Sequence, residues 1–220
     1  MAETEAYTFT AALTVCLDIT QPESYLAVPG VRELAADLDM DVRWLPYSVP
    51  PWPARSEPGP EADRGTWHRW HRARYRERDL RRYARLLSID LGDLHRQIKG
   101  ELAGLALLWV QDQPAAVGGA LLDGLLEGHW SGALNIEEPA SVTAMLVQAQ
   151  ARVAGWDEYR SGRGPVELAA LRSALSAAGV FDVPSLVVAH AVPEPEVFLG
   201  RAHLPMVRWL LTDRQGAPPI

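Results

Sequence analysis

The chain is 220 residues long, 48% apolar, with a formal net charge of −7; that suffices for one well-packed domain and rules out general disorder. The acidic balance argues against a dedicated nucleic-acid binder, whose phosphate contacts need a basic face, and no apolar run approaches the roughly 20 residues of a membrane span. One cysteine, Cys16, excludes an internal disulfide, a CxxC redox pair and a thiolate zinc cage.

Residues 1–10 carry Glu3 and Glu5 and no basic residue, so they do not read as a secretory signal, and the cytoplasm is the expected location. Leu13–Ile19 is short, partly β-branched and followed by polar residues and Pro22, the pattern of a buried strand ending at a turn. Pro22 suits the first position of a helix, where a missing N–H costs nothing. Leu26, Val31, Leu34 and Leu38 then recur at helical spacing, although Pro29 and Gly30 interrupt the run and predict a kink or a break. Asp41–Pro46 is a second strand, and strand, helix, strand in this order make a βαβ unit with parallel strands. Ser48–Pro60 is rich in proline and forms a loop beside the site.

From Thr66 to about Ala178 no strand is expected. Helical stretches cover 67–87, 91–111, 114–127, 139–154 and 165–178, with Pro114, Pro139 and Pro165 at helix starts and Gly179 as a C-cap. Val183–Ala189 is a strongly apolar strand opened by Pro184. Glu196–Leu199 is a short strand ending at Gly200 and pairs with it as an antiparallel hairpin. His203–Thr212 makes a closing helix and 214–220 a tail. The expected class is α/β: a βαβ…ββα core from 11–60 and 180–213 around a large all-helical insertion, 65–179.

Nine of the twenty arginines fall between Arg64 and Arg85, Lys99 is the single lysine, and one asparagine is present, a composition that suggests a GC-rich bacterial genome. Arg69, Arg72 and Arg76 fall near one helical face. One reading is a solvated face with local pairs to Glu77 and Asp79. The other is that Arg74 or Arg82, with Tyr75, lines a cleft and receives a substrate carboxylate, which the planar guanidinium suits. His68 and His71 lack a third ligand and His129, His190 and His203 are scattered, so no metal site is expected. Trp109, Trp130 and Trp156 are expected in the core or as walls of an aromatic pocket beneath the helical block, with Trp52 of the loop beside that pocket.

The turn Thr20–Ser24 joins a buried strand to a helix N-terminus, whose free N–H groups and dipole favour an anion or thiolate. The alternative is that Thr20 merely caps the helix. A proline opening an interior strand, as Pro184 does, loses a ladder bond unless it serves another purpose, and an X–Pro bond can be cis.

Asp18-Ile19-Thr20-Gln21-Pro22-Glu23-Ser24-Tyr25-Leu26-Ala27 resembles the "DFxSPxxYLA" opening of 2-hydroxychromene-2-carboxylate isomerases. Gly179-Val180-Phe181-Asp182-Val183-Pro184-Ser185 resembles their "GVFGVPT" segment, and Phe198-Leu199-Gly200 through Pro205 the "FfGxxxL" segment after it. Trp70, Arg74, Tyr75, Asp79, Arg82, Tyr83 and Ala84 fit the helical "Y…D…RYA" stretch. The resemblance implies a thioredoxin-like core with an inserted helical domain, as in DsbA and the kappa-class glutathione transferases. It implies a cis Pro184, with the Val183 backbone free to pair with glutathione or another low-molecular-weight thiol, and places Asp182 and Arg201 on the same cofactor side. It further implies a thiolate that adds reversibly to a conjugated substrate, allowing rotation about a former double bond.

Three positions depart from that pattern. Gln21 stands where the family has serine and DsbA its first cysteine; its amide donates a hydrogen bond but is neither nucleophile nor redox centre. Ala202 stands where an acidic residue commonly grips the amino end of glutathione, and Asp182 replaces a glycine. The expectation is therefore an isomerase-like enzyme, acting on a conjugated or aromatic carboxylated small molecule, with Gln21 stabilising negative charge and Ser24 as a substitute hydroxyl donor. Arg74, Tyr75, Arg82 and Trp52 would hold the substrate. The alternative is a catalytically diverged binding or accessory protein that kept the fold. Related folds often form homodimers, though no self-complementary apolar face marks one here.

Overall fold

β1 (Leu13–Leu17) is buried along its whole length at the centre of a four-stranded sheet ordered β2–β1–β3–β4. The computed structural model describes residues 6–52, 57–189 and 194–219; His190 and residues 53–56 of the proline-rich loop lie outside them. A strand covered on both faces needs side chains that tolerate burial at every position. Accordingly Leu13, Val15 and Leu17 of β1 enter one apolar cluster and Cys16 the other. β2 (Val42–Pro46) pairs with β1 in parallel, as the βαβ order requires. β3 (Ser185–Val188) pairs antiparallel on the other side of β1 and carries β4 (Glu196–Leu199) as an antiparallel edge.

α1 (Pro22–Asp37) and the closing helix α8 (Leu204–Leu211) cover one face through Leu26, Val31, Leu34, Val207 and Leu210. The break allowed at Pro29 and Gly30 does not occur: α1 is one helix with Pro29 inside it. An interior proline costs about 3 kcal/mol, but Val28 and Val31 on either side are buried and hold the turn in place by packing. Gly30 has its own reason, since a Cβ there would meet Leu204 Cδ1 at 2.8 Å.

The helical block comprises α2 (Arg64–Leu86), α3 (Glu101–Trp109), α4 (Ala115–Ser131), α5 (Pro139–Gln148), α6 (Trp156–Ser161) and α7 (Gly164–Ala177). Its elements differ from expectation in several places: α4 runs past 127 to Ser131, and α6 has no counterpart among the expected stretches. α2 starts at Arg64, ahead of 67, because the Asp63 side chain caps it by accepting the Thr66 N–H. The stretch 91–111 is helical only in its second half. Gly92 instead donates its N–H to the Trp130 carbonyl at 3.3 Å, and Leu91 and Leu94 reach the core from irregular backbone. The stretch 139–154 stops at Gln148, where Gln150 adopts φ 59° and Ala151 N–H closes onto Leu146 O. α7 ends the same way around Gly179, with Val180 N–H bonded to Leu175 O. That closure delivers the chain into the Val183–Pro184 turn.

Candidate functional site

Asp18 follows β1 directly and builds the turn before α1. Its Oδ1 accepts the Thr20 N–H at 2.9 Å and the Thr20 hydroxyl at 2.8 Å, and its Oδ2 accepts the Val49 N–H at 3.0 Å. Burial pushes this carboxyl above its ordinary range against the pull of those donors. Thr20 is thus spent on Asp18 and does not cap α1. Gln21 occupies the N-cap position, with its side chain off the helix amides and its Nε2 donating to Pro50 O at 3.2 Å.

Ser24 is fully buried and its Oγ accepts the Asp18 N–H at 3.2 Å. The expected hydroxyl donor therefore belongs to the turn, and Ser24 lines neither the cleft in front of Gln21 nor the recess beside Pro184. The positive end of α1 is already met by Glu23, whose Oε1 lies 2.6 Å from Arg76 Nη2 and accepts Arg76 Nε at 2.7 Å. Burial raises the Glu23 carboxyl as well, with Arg76 opposing.

A cleft of about 800 Å³ opens in front of Gln21. Its roof is the strap Val49-Pro50-Pro51; Trp52, Tyr75 and Phe181 form aromatic walls and Arg72, Arg76 and Asp182 the polar ones. The Arg76 guanidinium lies over the Trp52 ring, 4.9 Å from its centroid. Asp182 also borders a smaller recess of about 190 Å³ with Glu23, Arg76, Val183, Pro184, Arg201 and Ala202. The Val183–Pro184 peptide is cis, but the Val183 N–H expected to be free for glutathione is taken, donating to Asp182 Oδ1 at 2.8 Å. The tip of α1 and the proline-led strand thus meet at one place, as the thioredoxin-like reading requires.

No family model matches the sequence, and no curated protein matches it. Solved structures do. A 2-hydroxychromene-2-carboxylate isomerase superposes with a TM-score of 0.64 at 16% identity, covering 91% of this chain and 94% of that one. The cytosolic disulfide reductase DsbM from Pseudomonas aeruginosa, solved with glutathione, gives 0.61 at 15% identity over 91% and 95%. A probable DsbA oxidoreductase from Streptomyces coelicolor gives 0.55 at 18% identity over 96% and 93%. The chain has the DsbA-like thioredoxin fold.

Within this DsbA-like fold, two expected substrate residues lie elsewhere. Arg74 sits across α2 from Arg72 and Arg76, with its guanidinium 4.6 Å from the Trp70 ring centroid. Arg82 pairs with Asp79 at 2.8 Å. The cleft arginines are Arg72 and Arg76 instead. Their i, i+4 spacing was visible in the sequence, but which face of α2 turns inward depends on Leu80 and Ala84, the two buried residues of that helix. Arg201 borders the recess while lying over Tyr83, 3.6 Å from the ring centroid, and 3.9 Å from Asp79. His68 lines neither space and His71 packs on Trp67 and Trp70. Among the described residues no group of acidic, His or Cys side chains could hold a metal, and no helix is long and apolar enough to cross a membrane.

Cys16 is 0% exposed, and burial pushes its thiol up to about 12. Iodoacetamide at pH 8 should leave the native protein unmodified and alkylate one thiol per chain in guanidinium chloride; native-state labelling would place Cys16 in a more open environment.

Proposed function

We propose that this protein is a small-molecule catalyst of the isomerase type, acting on a conjugated or aromatic carboxylate with the help of glutathione or another low-molecular-weight thiol. The observation that carries this reading is the Gln21 amide at the tip of α1, opposite the Val183–Pro184 turn, in a cleft walled by aromatic rings and arginines. The recess beside Pro184 fits a zwitterionic thiol. Glu23 and Asp182 offer carboxylates to an amine, and Arg76 and Arg201 offer guanidiniums to a carboxylate.

A bound thiol supplies a nucleophile that adds reversibly to the conjugated bond. Gln21 spends one amide hydrogen on Pro50 O and has the second for negative charge developing on sulfur or on a substrate oxygen. Arg72, free of any salt bridge among the described residues, receives the substrate carboxylate, and Trp52 and Tyr75 hold the planar body. The isomerase and the glutathione-bound reductase that share the fold support the two halves of this reading. Having one cysteine, buried, the chain cannot run an internal dithiol exchange.

Calorimetric titration should show glutathione binding at millimolar concentration; no heat would remove the thiol-dependent reaction. With 2-hydroxychromene-2-carboxylate as trial substrate, Gln21→Ala should lower kcat by about 10²-fold, the usual worth of one such donor. Full turnover in that variant would take Gln21 out of the mechanism.

A second reading, a binding or accessory protein that retained the fold, is favoured by one observation: neither Ser24 nor Cys16 presents a nucleophile to the cleft. Tight binding of glutathione and an aromatic carboxylate with no conversion of either would select it.

A further inference from the structure

A second cavity, about 1010 Å³, lies behind the Val49–Pro51 strap and takes no part in the chemistry above. Its floor is Asp18 and Thr20; residues 97–101 form one wall and a face of α7 from Pro165 to Ser176 the other. Val49 and Pro51 border both cavities, so the strap is a shared partition. It is fastened at two points, by Val49 N–H to Asp18 and by Pro50 O to Gln21. The backbone at Gly100 closes tightly on the floor. A Cβ there would fall 2.8 Å from Asp18 Oδ1 and 3.2 Å from Thr20 Cγ2. Glycine thus allows the segment carrying Lys99 to run directly beside Asp18.

The walls combine apolar and charged surface. Ile98, Leu168, Val49 and Pro51 are apolar, while the chain's single lysine, Lys99, and Arg172 bring cationic groups to the same space. Of the two carboxylates there, Asp18 is engaged by Thr20 and Val49, and Glu101 lies exposed at the start of α3. Neither cation has a salt-bridge partner within 4 Å among the described residues; Arg172 lies 5.9 Å from the Tyr47 ring centroid and is felt by Asp18 only through space. Two unpaired cations over an apolar wall, with Ser173 and Ser176 beside them, recognise an acid group on an apolar body.

We propose that this cavity is a second ligand site, specific for an organic anion of aromatic or other apolar body, held by Lys99 and Arg172 and separated by the strap from the cleft at Gln21. The site stands on its own residues and does not require the isomerase reading. Because the strap forms a wall of both spaces, occupancy here bears on the position of Pro50 and so on Gln21.

The test is calorimetric titration of the full chain with 2-naphthoate at low salt. Two equivalents should bind. Lys99→Met/Arg172→Met should weaken one of them by about ten-fold or more, the loss expected when charge-assisted bonds to a carboxylate are removed. Arg72→Met should weaken only the other. Ala169→Trp, at an exposed position on α7 that lines the cavity, should block the same equivalent by filling it. A single equivalent insensitive to both the double variant and Ala169→Trp overturns this proposal and leaves the Gln21 cleft standing. A single equivalent lost in those variants and kept in Arg72→Met upholds it and counts against the cleft. No binding of 2-naphthoate overturns it.

Discussion

Trp130→Ala should destabilise the protein by about 3–5 kcal/mol, the range for removing a large buried aromatic side chain, and lower Tm by roughly 10 °C or more for a chain of this size. Trp130 is 2% exposed near the end of α4, packed in the core that the helical block shares with β1 and α1. Its indole Nε1 donates to Ile19 O at 3.1 Å. Ile19 lies two residues before Gln21, so this bond ties the helical block to the turn that presents the site. Trp130→Phe separates the two contributions. It keeps a ring in the space but leaves a buried carbonyl unpaired, at a cost of about 1–3 kcal/mol. Urea unfolding of both variants gives the measurement. A loss below about 1 kcal/mol for Trp130→Ala would mean that the site is anchored without this residue.

Acid should destabilise the fold through His129. The imidazole is 3% exposed, edge-on to Trp130, and burial, aided by the nearby Arg96 guanidinium, lowers its pKa from 6.5 to about 4. The folded state therefore holds it neutral while the unfolded chain titrates near its ordinary value. Its stabilising contribution is complete above pH 6.5 and is lost as the pH falls towards 4, by on the order of 3 kcal/mol in all. Asp18 and Glu23 have the opposite sign, because their raised carboxyls are easier to protonate in the folded state and favour it as the pH drops. Comparison with His129→Phe isolates the histidine. Between pH 7 and 4.5 the parent should lose about 2–3 kcal/mol more than the variant; parallel stability curves for the two proteins would show that His129 is solvated and titrates normally.

Much of the architecture follows from local pattern. The largely apolar β1, the helical period after Pro22 and the proline-led strand at 184 are each readable over a few residues, and chain order then restricts how the strands pair. Gly179 works as a C-cap because its φ of 93° suits glycine and little else. The structure departs from local pattern where packing or distant partners override propensity. Pro29 stays helical because Val28 and Val31 are buried around it, and 91–100 fails to form a helix because Gly92 bonds the end of α4.

The site divides along the same line. Gln21 at a helix N-terminus and Pro184 at a strand opening each have meaning by themselves, and the resemblance to the isomerases implies that they meet. Ser24 looked like a candidate from spacing alone, and only the bond from Asp18 N–H shows that its hydroxyl belongs to the turn. Arg72 and Arg76 could not be told from Arg74 and Arg82 by sequence, since a helix with two buried residues in twenty-three carries almost no record of which side faces the protein. The cavity between Asp18, Lys99 and Arg172 gathers residues more than 150 positions apart, and no local pattern encodes such a meeting. Sequence determines what most segments are, because secondary structure is decided largely over a few neighbouring bonds; the irregular 91–100, the rotation of α2, the path of the strap and the second cavity exist only once the helical block has packed onto the sheet.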